Sequence, residues 1–217
     1  MIDFDRKILF IHIPKCAGTS IKKSRLFSDN SLEVKDLPTF KKMKNVDRRY
    51  AAWMLDGYKN YFRVLQDAGV DSSFKSFAIL RNPWERILSY WTMLNNSPKQ
   101  YSPLKGLSFE EFVKDYVGGS KRGRERDAWH VIPASTIITA YQNVFESDVG
   151  LLFDISDITA MLPLLCDYLE APNVSLLPKK NTTKHGSCSE HYTGDLVDTV
   201  GKVYCEDTDM FGWGFNK

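Results

Sequence analysis

The chain has 217 residues, 43% apolar and 26% charged, the balance of a soluble globular domain long enough to bury a core without disulfide or metal staples. Twenty-nine Lys and Arg against 27 Asp and Glu leave a net charge of +2, which argues against a general nucleic-acid coat. No run of 18 apolar residues is present, so no membrane span is predicted, and the first residues lack the basic-then-apolar order of a signal peptide. Cys16, Cys166, Cys188 and Cys205 form no C-x-x-C pair and no zinc-finger spacing with His, and they read as reduced thiols of a cytoplasmic protein.

The elements follow in chain order. Ile8 to Ile13 is a nearly continuous apolar run, as expected of a buried parallel strand; Pro14 ends it, and Ala17 to Ile21 reads as a turn opening a helix. Residues 28 to 44 are polar and Lys-rich and read as a surface loop, and residues 46 to 67 carry apolar side chains at helical spacing. Phe74 to Leu80 is a second core strand. Asn82 as N-cap, Pro83 at the first helical position and Glu85 three residues after the cap predict a helix to about Leu94. Ser97 to Leu107 reads as loop, and Ser108 with Glu111 predicts a capping box for a helix Phe109 to Val117, stopped by Gly118 and Gly119. Thr136 to Ala140 is predicted as a strand, and Gly150 to Phe153 as a weaker one. Ile158 to Leu169 has a helical pattern with Pro163 inside it, so a kink or a later start is expected. Leu177 to Ser189 reads as loop, and Thr193 is placed to cap a last helix. Strands alternating with helices predict an α/β fold, in one domain spanning residues 1–217.

Two strand-to-helix junctions carry the chemistry. At the first, Lys15, Cys16, Ala17, Gly18, Thr19 and Ser20 combine an ammonium, small residues that let a ligand approach the backbone, and two hydroxyls. That is the composition of an anion cradle. The order differs from a Walker A loop, in which the lysine follows the second glycine, and no clear apolar strand ends in an Asp that would serve as a magnesium ligand, so a metal-dependent NTPase is disfavoured. At the second, Arg81 ends a strand and Ser89 lies seven residues beyond Asn82, nearly two helical turns, which returns it to the same side. A guanidinium and a hydroxyl suit a second phosphate, although Arg81 could equally pair with Glu85 or a C-terminal carboxylate. Both junctions lie at carboxyl ends of strands, where α/β sheets bind ligands.

The two segments, Ile11 to Ile21 and Arg81 to Trp91, with Lys15 and Arg81 66 residues apart, resemble the 5′-phosphosulfate loop and 3′-phosphate motif of the sulfotransferase superfamily, in particular the carbohydrate branch and its bacterial relatives. The tail Tyr204 to Trp213, the segment Ser108 to Val113 and the pattern Trp129-His130-x-x-Pro133 are similar to weaker landmarks of the same family. The resemblance implies a P-loop-like three-layer fold with a central, mainly parallel sheet flanked by helices. It implies the donor 3′-phosphoadenosine-5′-phosphosulfate (PAPS), the product adenosine 3′,5′-bisphosphate, no metal, and an acceptor hydroxyl on a carbohydrate or other small molecule. Lys15 would neutralise charge on the leaving oxygen; residues 16 to 20 would hold the 5′-phosphate; Arg81 and Ser89 would hold the 3′-phosphate; and Lys184, in the basic loop 179–184, would close over the nucleotide.

Relatives often carry a His near the position of Arg48 to Ala52, where this chain has none. His130 is the expected general base, with Asp56 or Glu33 as substitutes if their pKa were raised, while His12 packs or orders the first loop. Lys121, Arg122, Arg124 and Arg126 read equally as a solvated charge run or as a site that attracts an anionic acceptor such as an acidic glycan. The implied enzyme is cytoplasmic, without nucleic-acid partner or membrane span. The alternatives are a module that binds adenosine 3′,5′-bisphosphate without turnover and, further off, a P-loop-like kinase.

Overall fold

The computed structural model describes residues 1–38, 55–96, 104–119, 128–172, 174, 177–178 and 186–215. The strands are β1 (Ile2–Asp3), β2 (Ile8–Ile11), β3 (Lys75–Leu80) and β4 (Leu151–Asp154). In chain order the helices are α1 (Gly18–Lys22), α2 (Leu55–Asp67), α3 (Pro83–Asn96), α4 (Phe109–Glu111, continued by a π-helical stretch Phe112–Val117), α5 (Ala134–Phe145), α6 (Ile158–Leu169), α7 (Cys188–His191), α8 (Gly194–Val203) and α9 (Cys205–Phe211). The chain divides into two compact units, Met1–Leu80 with Thr136–Asn181, and Arg81–Ser135 with Thr182–Lys217.

The first unit is built on one sheet of order β1-β2-β3-β4. β1 runs antiparallel to β2, whereas β2, β3 and β4 are mutually parallel, with Phe10 opposite Phe77 and Phe77 opposite Leu151. The fold is thus α/β with a mainly parallel sheet, as expected. Every residue of β2 and all but the first of β3 are buried, so both sheet faces are covered. The Phe10 and Phe77 rings lie 5.1 Å apart between these strands. Phe62 of α2 meets Tyr141 and Phe145 of α5 edge-on, with centroids 5.5 and 6.1 Å away. Arg6 donates to the Leu26 carbonyl (2.9 Å) and to the Leu169 carbonyl (2.5 Å), placing a cation where the carbonyls of α6 lack intrahelical partners.

In the second unit the start of α3 is built as the sequence predicts: Asn82 Oδ1 accepts from the Trp84 amide (3.1 Å), and Pro83 takes the first helical position. Trp84 Nε1 donates to the Val197 carbonyl of α8 (3.0 Å), and the Tyr192 hydroxyl donates to the Trp84 carbonyl (2.9 Å). Leu88, Tyr90, Phe112, Tyr116, Leu196 and Val200 fill the core between these elements. The Ser108–Glu111 capping box forms at α4. The wide π-helical turn closes with the Gly118 amide on the Val113 carbonyl (2.9 Å), and a Cβ on Gly118 would overlap Thr199 of α8.

Several expectations are corrected. Thr136 to Ala140 is not a strand but the first half of α5. Its β-branched residues favour a strand locally, yet the apolar pattern continues through Tyr141 to Phe145, too far for a core strand, with Ile137, Ile138, Ala140 and Tyr141 buried. Of the two alternatives for Ile158 to Leu169, the later start is excluded, since α6 begins at Ile158 with Pro163 inside it. A short helix, α7, already begins at Cys188. Thr193 is the N-cap of α8 but its side chain makes no capping bond. β1 is unannounced in the sequence, and β4 is an apolar strand that does end in an Asp, Asp154, against the expectation that no clear strand of that kind exists; the lysine order of the first loop still differs from Walker A. Of the helix expected over 46 to 67, Leu55–Asp67 is present and 46 to 54 lie outside the described residues.

At the entry to β4, the Gly150 amide bonds Ser76 Oγ (3.1 Å), and the Tyr168 hydroxyl bonds the Ser76 carbonyl (3.4 Å). A Cβ at Gly150 would overlap the Tyr168 hydroxyl. Gly150→Ala is therefore expected to destabilise the protein by about 1–3 kcal/mol. Thermal unfolding reads this out, and adding Tyr168→Phe, which removes the overlapped oxygen, should recover part of the loss.

Candidate functional site

β2 delivers the chain into residues 12 to 17 at the carboxyl edge of the sheet. Two residues of this turn, Lys15 (φ 68°) and Ala17 (φ 55°, ψ 12°), adopt left-handed backbone without being glycine. Each such residue costs about 1–2 kcal/mol. Turns of this handedness form concave nests of backbone N–H groups that suit anions. The Ala17 carbonyl accepts from the Ser20 amide (2.9 Å) and the Ile21 amide (3.0 Å), which starts α1 directly after the strained residue. Cys16 is buried, its thiol on the Pro14 carbonyl (3.5 Å) and its amide on the Ile13 carbonyl (3.4 Å), so its two groups shape the loop from inside. Lys15, Ala17 and Thr19 are half-buried, while Gly18 and Ser20 are buried.

Gly18 has a specific reason to lack a side chain. A Cβ there would overlap the Nε2 and Cδ2 atoms of His12. The His12 ring therefore lies against the first turn of α1, where it orders the loop.

In the second unit, Arg81 directly follows β3, and Ser89 sits buried on α3. Arg81 Nε donates to Glu85 Oε2 at 3.2 Å, so Glu85 serves as the partner of Arg81. The half-buried Cys188 of α7 feels both charges. Burial pushes its thiol up to about 11; the Glu85 carboxylate adds to the rise and Arg81 opposes it. His130, in the turn Ala128–Val131, is 8% exposed. Its ring stacks on Tyr90 (4.5 Å between centroids, 14° between planes) and touches Trp129 (3.9 Å). α3 thus carries Ser89 and the platform for His130 on consecutive residues.

Other sequence candidates fare differently. Lys184, the remainder of the 179–184 loop and residues 121 to 126 lie outside the described residues, as does the side chain of Asp56. Glu33 is a poor substitute base: burial raises its carboxyl, but hydrogen bonds from Lys22 and Lys35 outweigh this and hold it below the ordinary value.

The sequence did not single out Arg86 or Asp207. Both are fully buried. Arg86 Nη1 donates to the Ile132 carbonyl (2.9 Å), and Nη2 lies 3.6 Å from Asp207 Oδ2. The Asp207 carboxylate also accepts from the Ala134 amide (2.9 Å) and the Ser135 amide (2.8 Å), the first turn of α5. The Tyr204 ring lies 5.2 Å from the guanidinium carbon, and its hydroxyl donates to the Val131 carbonyl (2.6 Å). The available signal was a charged residue at position 86 amid Trp84, Ile87 and Leu88, all core.

A family model described as Sulfotransferase family matches residues 1–214. The chain belongs to the sulfotransferase family. Comparisons with curated proteins and with solved structures return no match. Membership in this family supports sulfotransfer as the general activity. Among the described residues no helix is long and apolar enough to cross a membrane, and no cluster of His, Cys, Asp or Glu is arranged to hold a metal.

Gly18→Ala is expected to cost about 1–3 kcal/mol in thermal unfolding, because the new methyl must displace the His12 ring. Shrinking that ring in Gly18→Ala/His12→Ala should return part of the stability. No loss in the single variant would show that the ring does not occupy this position.

Proposed function

We propose that this sulfotransferase-family chain moves a sulfuryl group from PAPS to a hydroxyl of a carbohydrate or other small acceptor. The observation that carries this is the Lys15–Ser20 loop, in which two non-glycine residues are held in left-handed backbone beside two hydroxyls and an ammonium. Strain of that kind persists where the surrounding structure over-determines it, and such places cluster at ligand sites.

The donor is a nucleotide with a 5′-phosphosulfate and a 3′-phosphate. The acceptor oxygen attacks sulfur, the bond from sulfur to the 5′-phosphate oxygen breaks, and adenosine 3′,5′-bisphosphate leaves with the bonding electrons. In this reading Lys15 supplies the ammonium that offsets negative charge growing on that leaving oxygen. The amides and hydroxyls of Gly18, Thr19 and Ser20 hold the 5′-phosphate, with Cys16 and Ala17 giving the loop its curvature. Arg81 and Ser89 read the 3′-phosphate, the group that separates this nucleotide from ADP, and Lys184 covers it. Arg81 can exchange its i,i+4 bond to Glu85 for a phosphate at little cost, because exposed pairs of this kind contribute only tenths of a kcal/mol. For the acceptor proton we retain His130, whose stacking on Tyr90 fixes its ring plane.

The burial of His130 favours a second reading, a module that binds adenosine 3′,5′-bisphosphate without turnover. Transfer of labelled sulfate from PAPS across an acceptor panel separates the two. Turnover that is lost in Lys15→Ala and reduced about 10²–10⁴-fold in His130→Ala, with the variant still folded, supports the enzyme and its base. Tight donor binding without transfer to any acceptor supports the module.

The nucleotide assignment has its own test. Without added metal, adenosine 3′,5′-bisphosphate should raise the unfolding temperature more than ADP does. Arg81→Ala should weaken bisphosphate binding by about 10–100-fold, the worth of a charge-assisted hydrogen bond, and leave ADP nearly unchanged. Equal shifts with both nucleotides in the native protein would refute the 3′-phosphate assignment.

A further inference from the structure

We infer that Arg86 and Asp207 form a positioning pair for recognition of the 3′-phosphate, an inference that rests on the donor proposed above. Neither residue touches solvent, so neither reaches a ligand directly. What they do is fix other groups. Arg86 is three residues before Ser89 on α3, a spacing that sets the two side by side on one face of the helix. Holding the Arg86 guanidinium holds the rotation of that face and with it the direction in which Ser89 points. The same guanidinium is bonded to the Ile132 carbonyl, two residues beyond His130, and Asp207 secures the amides of Ala134 and Ser135. Tyr204 adds a bond to the Val131 carbonyl. Residues 131 to 135 are thereby tied at every backbone group named here to a single buried charge pair and its aromatic neighbour, and the His130 ring rests on Tyr90 of the same helix.

The pair is poorly made as a stability device. Among the described residues Arg86 Nε and Nη2 have no hydrogen-bond partner, and at 3.6 Å the contact of Nη2 with Asp207 is an ion pair without a hydrogen bond. Buried pairs repay their desolvation only when the remaining donors are satisfied, and apolar residues of similar volume often replace them without loss of stability. What apolar residues cannot do is hold the Ile132 carbonyl and the α3 face in one fixed relation through a rigid planar fork.

The experiment uses Arg86→Met/Asp207→Asn in the full chain. The double change removes both charges together and leaves an amide oxygen to accept from the first turn of α5. Calorimetry gives the dissociation constants of adenosine 3′,5′-bisphosphate and ADP, and their ratio is the readout. The native protein should prefer the bisphosphate, and the double variant, still unfolding cooperatively, should lose about tenfold or more of that ratio. Gly150→Ala, which lowers stability in the first unit without touching the pair, should keep the native ratio. A folded double variant with the native ratio overturns the inference while leaving the donor assignment standing. A native protein that does not distinguish the two nucleotides removes the donor assignment, and the inference with it. If the double variant fails to fold, Arg86→Lys, which keeps the cation but not the planar fork, takes its place under the same criteria. Failure of both to fold would show the pair to be a stability element and also overturn the inference.

Discussion

Parallel pairing of β2 with β3 is the constraint on which the architecture of the first unit depends. Ile8 faces Lys75 and Ile11 faces Ala78, so the chain leaves both strands at the same edge of the sheet. Parallel neighbours cannot be joined by a tight turn; they need a crossover, which residues 12 to 74 supply. The first exit leads into the strained loop with Lys15, and the second leads to Arg81. In an antiparallel pair the two exits would lie at opposite ends. The cost of the arrangement is that both faces of β2 and β3 must be covered. The unbroken apolar runs of the two strands are the sequence's answer to that demand.

The loop after β2 shows how strain is held in place. Lys15 and Ala17 would relax to ordinary backbone if the turn were free. Around and between them stand Ile13, Cys16 and Ile21, each fully buried, and the Cys16 thiol is bonded within the turn. Pulling any of these out of the core would expose apolar surface worth about 1.5–3 kcal/mol per large side chain, more than a single left-handed residue recovers by relaxing. The His12 ring against Gly18 leaves no room for a side chain at that position. Conformation at the loop is thus dictated by packing beneath it, and the exposed parts of Lys15 and Thr19 inherit that rigidity.

Much of this was legible in the sequence, for reasons that can be traced to particular residues. The runs at Ile8 and Phe77, the Asn82–Pro83 start of α3 and the Ser108–Glu111 box are local signals, satisfied by residues within a few positions of one another. Thr136 to Ala140 misled because four β-branched residues stand at the start of an element whose decisive features lie elsewhere: the apolar face beyond Ala140, and Asp207, whose carboxylate satisfies the first amides of α5 from 73 residues away. The pairing of Arg86 with Asp207 is equally non-local. An Arg on an amphipathic helix reads as solvent-facing unless its partner is known, and no local pattern names that partner. The role of Glu85 was open in the sequence for the opposite reason: a capping position and an i,i+4 partner for Arg81 were both within reach, and the structure shows the ion pair.

The two arginines near the start of α3 illustrate how burial divides labour among like residues. Arg81 is bonded to a Glu85 side chain that is half exposed, in a medium of high dielectric, where the pair contributes little and is readily exchanged. Arg86 and Asp207 are withdrawn from water, where separating them would strand a charge and cost several kcal/mol. Only the first kind of pair can give way to an incoming phosphate. Only the second can hold a helix face constant while that exchange occurs. A binding residue must be able to change partners, and a positioning residue must not. Five positions apart on one segment, a partly exposed and a fully buried guanidinium differ in the property that the two proposed tasks require.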